Sequence, residues 1–184
     1  MTRLFLGGSR HVTRLPGLVL DRLAALLEGA PAVLIGDAAG ADAALQHVLH
    51  ARGYRRVEIF CSDGLCRHNL GNWPVRAVPT GRRTRDAQFY AVKDRAMAEA
   101  ATDGLMVWDG RSPGTIGNAR RLVAQDKPVM ICTVPELRWD DLRDAASWQA
   151  FLARQDPGLR RLLDDRAGLE PAAPGASAQA MLAI

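Results

Sequence analysis

The sequence predicts an α/β protein: a Rossmann-like parallel sheet with helices on both faces in a single domain, followed by C-terminal helices. Apolar runs of strand length alternate with segments of helical periodicity along most of the chain. The apolar runs are continuous rather than broken by polar residues, which is typical of parallel strands buried on both faces. Glycines lie at three of the strand-to-helix junctions. A chain of 184 residues is long enough to bury a sizeable core in one domain.

The individual elements follow from local patterns. Apolar runs predict strands at 3–8, at the start of 32–53, at 56–62, at 75–81, at the start of 105–125 and at 127–134. Helical spacing predicts helices over 15–29, in the second half of 32–53, over 85–102 and in the second half of 105–125.

Three segments follow from this order of elements. Residues 1–134 are predicted to form the Rossmann-like, nucleotide-binding domain. Apolar residues such as Trp148, Phe151 and Leu163 predict one or two helices in a C-terminal extension over 135–166. The stretch 167–184 is rich in Ala, Gly and Pro and is expected to be a flexible tail.

Composition excludes several classes of protein. No apolar run approaches the length of a membrane span, so no membrane contact is expected. The start of the chain has no basic leader with a small-residue cleavage site, and three cysteines argue against a disulfide framework, so we expect a cytoplasmic protein. The spacing of Cys61, Cys66 and His68 matches no common zinc pattern, and Cys61 and Cys132 suit small apolar positions at strand ends. We expect no metal and no cofactor.

The positive charge has two interpretations. The formal net charge is +4, and "GRRTR" at 81–85 is the densest basic stretch. Such a stretch can contact nucleic-acid phosphates or form an ordinary solvated loop. Only Lys93 and Lys127 are lysines among the 24 basic residues, and this bias toward arginine accompanies abundant alanine, which is typical of genomic base composition. A nucleic-acid partner is therefore not favoured, although it stays open.

The three glycine-containing junctions predict a ligand site. They are Gly7-Gly8-Ser9-Arg10, the turn from Gly36 to Asp42, and the loop from Asp109 to Thr115. In an open parallel sheet, ligands bind beyond the carboxyl ends of the strands, where these junctions gather. Glycine lets backbone amides approach a ligand, helix N-termini favour anions, and the hydroxyls of Ser9, Ser112 and Thr115 add donors. The pattern therefore predicts a phosphate or nucleotide site, although none of the junctions has a dinucleotide or Walker motif.

Three further groups of residues have both functional and structural interpretations. Asp37 and Asp42 can bind ribose hydroxyls or a base, or they can stabilise a turn and a helix N-terminus. In the irregular stretch "CRHNLGNW" we assign Arg67 and Asn69 to the ligand and Trp73 to packing. The helix at 85–102 places Tyr90, Lys93, Asp94 and Met97 on one face, where Met97 suits the core and Tyr90 and Lys93 can reach the ligand edge.

Five motifs together resemble the SLOG superfamily, which relates the DNA-processing protein DprA to the phosphoribohydrolases called LOG. They are "LGGSR", "IGDAAGAD", "RHNLGNW", "KDRAM" and "WDGRSPGT", and the small bacterial YspA-like branch is the most similar. The resemblance covers about residues 3–134. It implies a Rossmann-like sheet, a nucleotide or nucleotide-derived ligand, and a homodimer.

When the LOG motif is aligned with this sequence position by position, the residues of its hydrolytic part differ. The loop P-G-G-x-G-T-x-x-E of LOG enzymes aligns with "RSPGTIGN", so that Gly114 and Thr115 match and Asn118 replaces the final glutamate. An amide cannot carry negative charge toward an oxocarbenium-like centre or act as a base. Lys93 lies where LOG proteins place an arginine, so the charge is kept and the bidentate fork is lost. Asp109 or Asp37 is then the candidate catalytic carboxylate.

The sequence leaves three functions in competition. The leading hypothesis is binding of a nucleotide or nucleotide-derived phosphorylated ligand, as in a sensor. The alternatives are an N-glycosidase that releases the base from a nucleoside monophosphate, and single-stranded DNA binding of the DprA kind through the Arg82–Arg85 cluster. The candidate ligand-binding residues are Gly8, Ser9, Arg10, Gly36, Asp37, Gly40, Asp42, Arg67, Asn69, Lys93, Asp109, Ser112, Gly114, Thr115 and Asn118.

Overall fold

Strands and helices alternate along the computed structural model, which describes residues 1–168. The strands are β1 (Arg3–Gly8), β2 (Ala32–Gly36), β3 (Val57–Ser62), β4 (Val75–Val78), β5 (Asp103–Trp108), β6 (Val129–Thr133) and β7 (Arg138–Leu142). The helices are α1 (Gly17–Glu28), α2 (Ala41–Ala51), α3 (Ala87–Ala100), α4 (Pro113–Val123), α5 (Ala145–Ala153) and α6 (Pro157–Gly168).

The strands form one sheet in the order β4-β3-β2-β1-β5-β6-β7. Every neighbouring pair is parallel except β6 and β7, which are antiparallel. The chain moves outward from β1 through β2 and β3 to β4, and then crosses back to place β5 beside β1. The strand order therefore reverses between β1 and β5, and the carboxyl ends of these two strands bound the crevice in which such folds bind ligands.

Helices cover both faces of the sheet. On one face, α3, α4, α5 and α6 pack over a core that includes Phe5, Phe60, Trp108 and Phe151. On the other face, α1 and α2 pack over Leu4, Leu6 and the neighbouring apolar residues of β2 and β3. Because consecutive side chains of a strand point to opposite faces, a strand buried on both must be apolar throughout. This confirms the predicted Rossmann-like α/β fold.

The segment 135–166 differs from the prediction in one element. It was expected to be helical, but its first part forms β7, and the helices α5 and α6 follow. β7 has the sequence "RWDDL" and is an edge strand that is largely exposed or half-buried. Its charged residues gave no apolar run, so the criterion that found the central strands could not find this one. The expected flexible tail at 167–184 lies outside the described residues beyond 168.

The described residues include a disulfide between Cys61 at the end of β3 and Cys66 in the loop that follows. The sequence analysis expected unpaired cysteines and is corrected here: Cys132 is free and buried, as expected, whereas Cys61 is buried and bonded. The bond spans five residues and holds the loop that leads into Arg67. None of the helices within residues 1–168 is long and apolar enough to cross a membrane.

Reduction of this disulfide is expected to lower the free energy of unfolding by about 2 kcal/mol, because a link across a short loop removes that much chain entropy from the unfolded state. Denaturant unfolding with and without dithiothreitol measures the change. A Cys66→Ser variant should show no response to the reductant, and a Cys132→Ser variant should respond like the wild type. Equal midpoints for the oxidised and reduced wild type would contradict the expectation.

Candidate functional site

The three glycine-containing junctions meet at the carboxyl ends of β1 and β5, and Ser9 joins them. The Ser9 carbonyl accepts from the amide N of Ala41 at the start of α2 (3.1 Å), and its own amide donates to the Val107 carbonyl of β5 (2.9 Å). Its hydroxyl donates to Asp109 Oδ1 (3.0 Å) and lies 3.0 Å from the hydroxyl of Thr115. The convergence predicted from the sequence is therefore present.

Most of the glycines at these junctions allow close packing inside the protein. A Cβ on Gly8 would overlap the Val107 carbonyl and Ala41, and a Cβ on Gly40, which has φ +80°, would overlap the Arg10 backbone. A Cβ on Gly36 would lie 2.8 Å from Lys93 Nζ. Gly114 is different, because nothing lies within 4 Å of the position that its Cβ would take. Of these four glycines, only Gly114 leaves open space for a ligand.

A cleft of about 470 Å³ opens above the end of β1, between α3 and α4. It has the size of typical small-molecule sites. Ala87 and Ala91 of α3 and Gly114 and Gly117 of α4 line it with small side chains. Seven basic residues and three acidic ones also line it, namely Arg10, Arg67, Arg85, Lys93, Arg120, Arg121 and Arg166 against Asp42, Asp86 and Asp94. This excess of positive charge favours an anionic ligand.

The N-terminus of α4 opens on this cleft. The first residue of α4 is Pro113, and no side chain within the described residues caps the helix at Ser112. In α3, by contrast, the Asp86 carboxylate accepts from the Phe89 amide (2.9 Å). The Asp109 carboxylate accepts from the amides of Arg111 (3.0 Å) and Ser112 (2.7 Å) and so shapes the loop before α4. Uncapped amides and the helix dipole together form an anion-binding end.

A group of charged side chains, here called the floor, consists of Asp42, Arg67, Lys93 and Asp94, which line the base of the cleft, and of Asp37, which lies behind them and pairs with Arg67 and Lys93. Asp37 is 2% exposed and accepts two hydrogen bonds from the Arg67 guanidinium (3.0 and 2.8 Å) and one from the Arg67 amide (3.1 Å). Lys93 is 4% exposed, and its Nζ lies 3.6 Å from Asp37 Oδ1 and 3.4 Å from Asp94 Oδ1.

The pKa values of the floor follow from burial and pairing. Burial acts to raise the pKa of Asp37, but the hydrogen bonds from Arg67 and the charge of Lys93 hold it below its ordinary value. Burial acts to lower the pKa of Lys93, but the carboxylates of Asp94, Asp42 and Asp37 raise it. For Asp42 burial outweighs the charge of Lys93 and the hydrogen bond from the Ala38 amide, so its pKa is raised to about 6.

A tyrosine ring lies between two arginines beside the floor. The guanidinium carbons of Arg10 and Arg67 lie 5.1 and 5.0 Å from the centroid of the Tyr90 ring. Cation–π contacts of this kind hold the arginine planes in place without consuming their hydrogen-bond donors. Arg10, Arg67 and Tyr90 all line the cleft.

Ten of the fifteen candidate residues line the cleft, namely Gly8, Ser9, Arg10, Asp42, Arg67, Lys93, Ser112, Gly114, Thr115 and Asn118. Gly36, Asp37, Gly40, Asn69 and Asp109 are not among its lining residues. The Asn69 side chain closes its own loop by bonding the amide (2.9 Å) and carbonyl (2.8 Å) of Trp73, and Trp73 is buried as expected. Five candidates are thus supporting residues.

The sequence analysis missed several residues of the cleft. Tyr90 was expected to be able to reach the ligand edge but was not counted among the candidate residues, and Asp94 was placed on the same face of α3 without a role in the site. Arg120 and Arg121 of α4 and Arg166 of α6 were not considered. The helical spacing of Gly114, Gly117, Asn118 and Arg121 could have identified the α4 face, whereas nothing in the sequence relates α6 to α4.

The fold and the cleft define an α/β protein with a Rossmann-like sheet and a basic cleft where its strand order reverses. A similar solved structure is that of DNA processing protein A from Helicobacter pylori, which is described as binding single-stranded DNA in a unique mode. The two chains are 10% identical, with a TM-score of 0.52 over 92% of this chain and 82% of that one. This likeness shows the fold. No protein-family model and no curated protein matches the chain, so membership of the SLOG superfamily stays a prediction from the motifs.

Proposed function

We propose that the protein binds a nucleotide, or a phosphorylated compound derived from one, in the cleft between α3 and α4, as a ligand sensor does. The observation that carries this proposal is the uncapped N-terminus of α4, which opens on a cleft lined with arginines. A phosphate placed there would receive backbone donors from the first turn of α4 and side-chain donors from the surrounding guanidinium groups.

The arrangement of the carboxylates favours binding over hydrolysis. Asp109 receives hydrogen bonds from Ser9, Arg111 and Ser112. Burial acts to raise its pKa, and the donors of Ser112, Arg111 and Ser9 hold the pKa below its ordinary value, so Asp109 is a poor proton donor or base near neutral pH. Asp37 is occupied in the same way by Arg67. These hydrogen bonds support a structural rather than a catalytic role for the two carboxylates that the sequence suggested for catalysis.

The amide that replaces the glutamate of the LOG motif also lies at the cleft. Asn118 is buried and lines the cleft, and its Oδ1 accepts from Arg121 Nη1 (2.6 Å). An amide in this position can orient a ligand but cannot stabilise a developing positive charge. This supports a site that binds a nucleotide without cleaving its glycosidic bond.

A Gly114→Asp variant tests the anion site. An acidic residue in the first turn of a helix stabilises the helix, and the open space around Gly114 accepts the side chain, so the fold is expected to be retained. The new carboxylate would repel a phosphate, and we expect affinity for nucleotides to fall at least about tenfold. Gly114→Ala is the matched control and should bind like the wild type.

Thermal unfolding with AMP, GMP, CMP and UMP is the measurement. A ligand at about 100 times its dissociation constant adds about 2.7 kcal/mol and so raises the melting temperature by roughly 5–10 °C in a protein of this size. Chromatography of the same mixtures for free base should find none. Released base would support the N-glycosidase instead, and a shift that survives Gly114→Asp would refute the anion site.

Nucleic acid is a separate outcome of the same study. The similar structure is that of a single-stranded DNA-binding protein, and Arg85 lines this cleft while Arg82 pairs with Asp86 (3.0 Å). Retention of an oligonucleotide that weakens steeply with salt, without any shift by mononucleotides, would favour DNA binding over the proposed function.

A further inference from the structure

The floor of the cleft contains more negative than positive charge. Asp37, Asp42 and Asp94 are three carboxylates, and Lys93 and Arg67 are the two cations among them. With every group ionised the floor therefore has a formal charge of two minus three, or −1. The rest of the cleft lining is strongly basic. A ligand complementary to this cleft would be anionic at one end and would offer hydrogen-bond donors at the other end.

Asp42 is the carboxylate on which this surplus falls. Asp37 is paired with Arg67 and Lys93, and Asp94 with Lys93. Among residues 1–168, Asp42 receives one hydrogen bond, from the Ala38 amide to Oδ2 (3.2 Å). Asp42 is only 7% exposed, yet it lines the cleft. The other carboxylate oxygen, Oδ1, accepts no hydrogen bond from residues 1–168 and is not fully buried, so it can accept one from a ligand in the cleft.

The backbone beside Asp42 keeps this carboxylate in place. A Cβ on Gly36 would lie 2.5 Å from Asp42 Oδ2 and 2.8 Å from Lys93 Nζ. Glycine at position 36 therefore makes room for the acid and the ammonium group side by side. Gln46, which lies on α2 together with Asp42, donates a hydrogen bond to the Gly36 carbonyl (2.9 Å) and so holds the end of β2 against α2.

We propose that Asp42 is the ligand-recognising carboxylate of the cleft and accepts a hydrogen bond from an O–H or N–H group on the non-phosphate part of the ligand. This inference rests on the proposed function and specifies its ligand class: a phosphorylated compound that also has donors, as the ribose hydroxyls or the base N–H groups of a nucleotide do. A second anion at this position would meet a buried negative charge, so the phosphate is assigned to α4.

The protonation of Asp42 makes this recognition depend on pH. Below about pH 6 the carboxyl is increasingly protonated, and a neutral acid accepts a weaker hydrogen bond than a carboxylate does. The charged and titratable groups around it, on the elements that pack there, are Lys93 and Asp94 of α3, Asp37, Arg67 and His68 of the neighbouring loops, and Arg10 after β1. The ligand phosphate titrates in the same way with either protein, so the ratio of the two dissociation constants removes its contribution.

The experiment compares the wild type with Asp42→Asn, which keeps the shape and removes the charge. Dissociation constants for AMP, GMP, CMP and UMP, and for their 2′-deoxy forms, are measured between pH 5 and 7.5 by calorimetry. Near pH 7.5 the variant is expected to bind about tenfold more weakly, and at pH 5 the ratio should fall to roughly twofold. Asp21→Asn, which removes an exposed carboxylate on α1, is the control and should bind like the wild type.

A melting curve gives a second readout that does not need a ligand. The pKa of Asp42 rises from 3.8 to about 6 on folding, so ionisation disfavours the folded state, and its contribution lowers stability as pH rises between these values. Asp42→Asn should therefore melt several degrees above the wild type near pH 7.5, and the difference should vanish below about pH 4.

Each outcome has one meaning. If the 2′-deoxy forms abolish the difference between wild type and Asp42→Asn, the donor is the ribose 2′-hydroxyl; if they preserve it, the donor is the 3′-hydroxyl or an N–H group of the base. An Asp42→Asn variant that binds as tightly as the wild type at every pH overturns this inference and leaves the proposed function standing. Failure of every nucleotide to bind the wild type overturns both.

Discussion

Replacing Lys93 with methionine is expected to lower the free energy of unfolding by about 3–5 kcal/mol near pH 7.5, because removal of one partner leaves buried charge without compensation. Lys93 is 4% exposed and contacts both Asp37 and Asp94. The methionine fills much of the same volume, so the loss reflects charge rather than a cavity. The expected change is a large fraction of the stability of a domain this size. Urea unfolding measures it.

The dependence of this loss on pH identifies its cause. Without Lys93 the formal charge of the floor falls from −1 to −2, and the folded state then holds protons on its carboxyls at higher pH than the unfolded state does. The loss should therefore shrink as pH falls toward 5, where the carboxyls take up protons. A Lys93→Met/Asp42→Asn double variant returns the floor to −1 and should recover at least half of the loss.

The other lysine of the chain provides a matched control. Lys127 Nζ donates to the carbonyls of Ala98 (2.7 Å) and Glu99 (2.8 Å) at the end of α3. A Lys127→Met variant loses these bonds at a partly exposed site, and we expect about 1 kcal/mol with little dependence on pH. A loss for Lys93→Met that is equally independent of pH would show that packing, and not the floor charges, determines the role of Lys93.

The central fold could be predicted because each buried strand has a sequence that suits only one environment. The run "LFLGG" of β1 is apolar throughout because residues on both its faces are buried beneath helices, and the same is true of "GLMVW" in β5. The edge strand β7 could not be predicted, because its pairing with β6 comes from the backbone and its charged residues Arg138, Asp140 and Asp141 interrupt any apolar pattern. Hydrophobic periodicity reflects which side chains are buried, and an exposed edge strand buries few of them.

The site was only partly predictable for a related reason. Topology places the junctions after β1, β2 and β5 together, and the sequence sufficed for that. It could not show that Gly8 and Gly40 pack against neighbouring backbone while Gly114 stays open, because all three have the same appearance in a sequence. Nor could it show that Asp37 and Asp109 are consumed by local hydrogen bonds whereas Asp42 is left facing the cleft. Those distinctions depend on the folded backbone and on contacts such as Arg67 with Asp37 and Arg10 with Gly40, which join residues about 30 positions apart.

Gly40→Ala is expected to disrupt both stability and ligand binding. Gly40 has φ +80°, and a Cβ there would overlap the carbonyl and Cα of Arg10. With ψ −127°, this conformation lies outside the left-handed helical region and near one that only glycine adopts readily, so it alone disfavours alanine by about 1–3 kcal/mol. The overlap must then move either α2 or the loop after β1, and both hold parts of the cleft. We expect a total loss of about 3–5 kcal/mol in the free energy of unfolding.

Gly53→Ala is a control for a positive φ without steric overlap. Gly53 has φ +62°, and nothing lies within 4 Å of the position of its Cβ, so this variant has the conformational penalty without the overlap. Its loss should be about 1–2 kcal/mol, and its nucleotide affinity should equal that of the wild type. In Gly40→Ala the displaced Arg10 also leaves the ring of Tyr90, and affinity measured below the melting temperature should fall as well. If both variants lose the same stability, the loop after β1 moves away from the new side chain at little cost in free energy. The close approach at Gly40 then does not position Arg10.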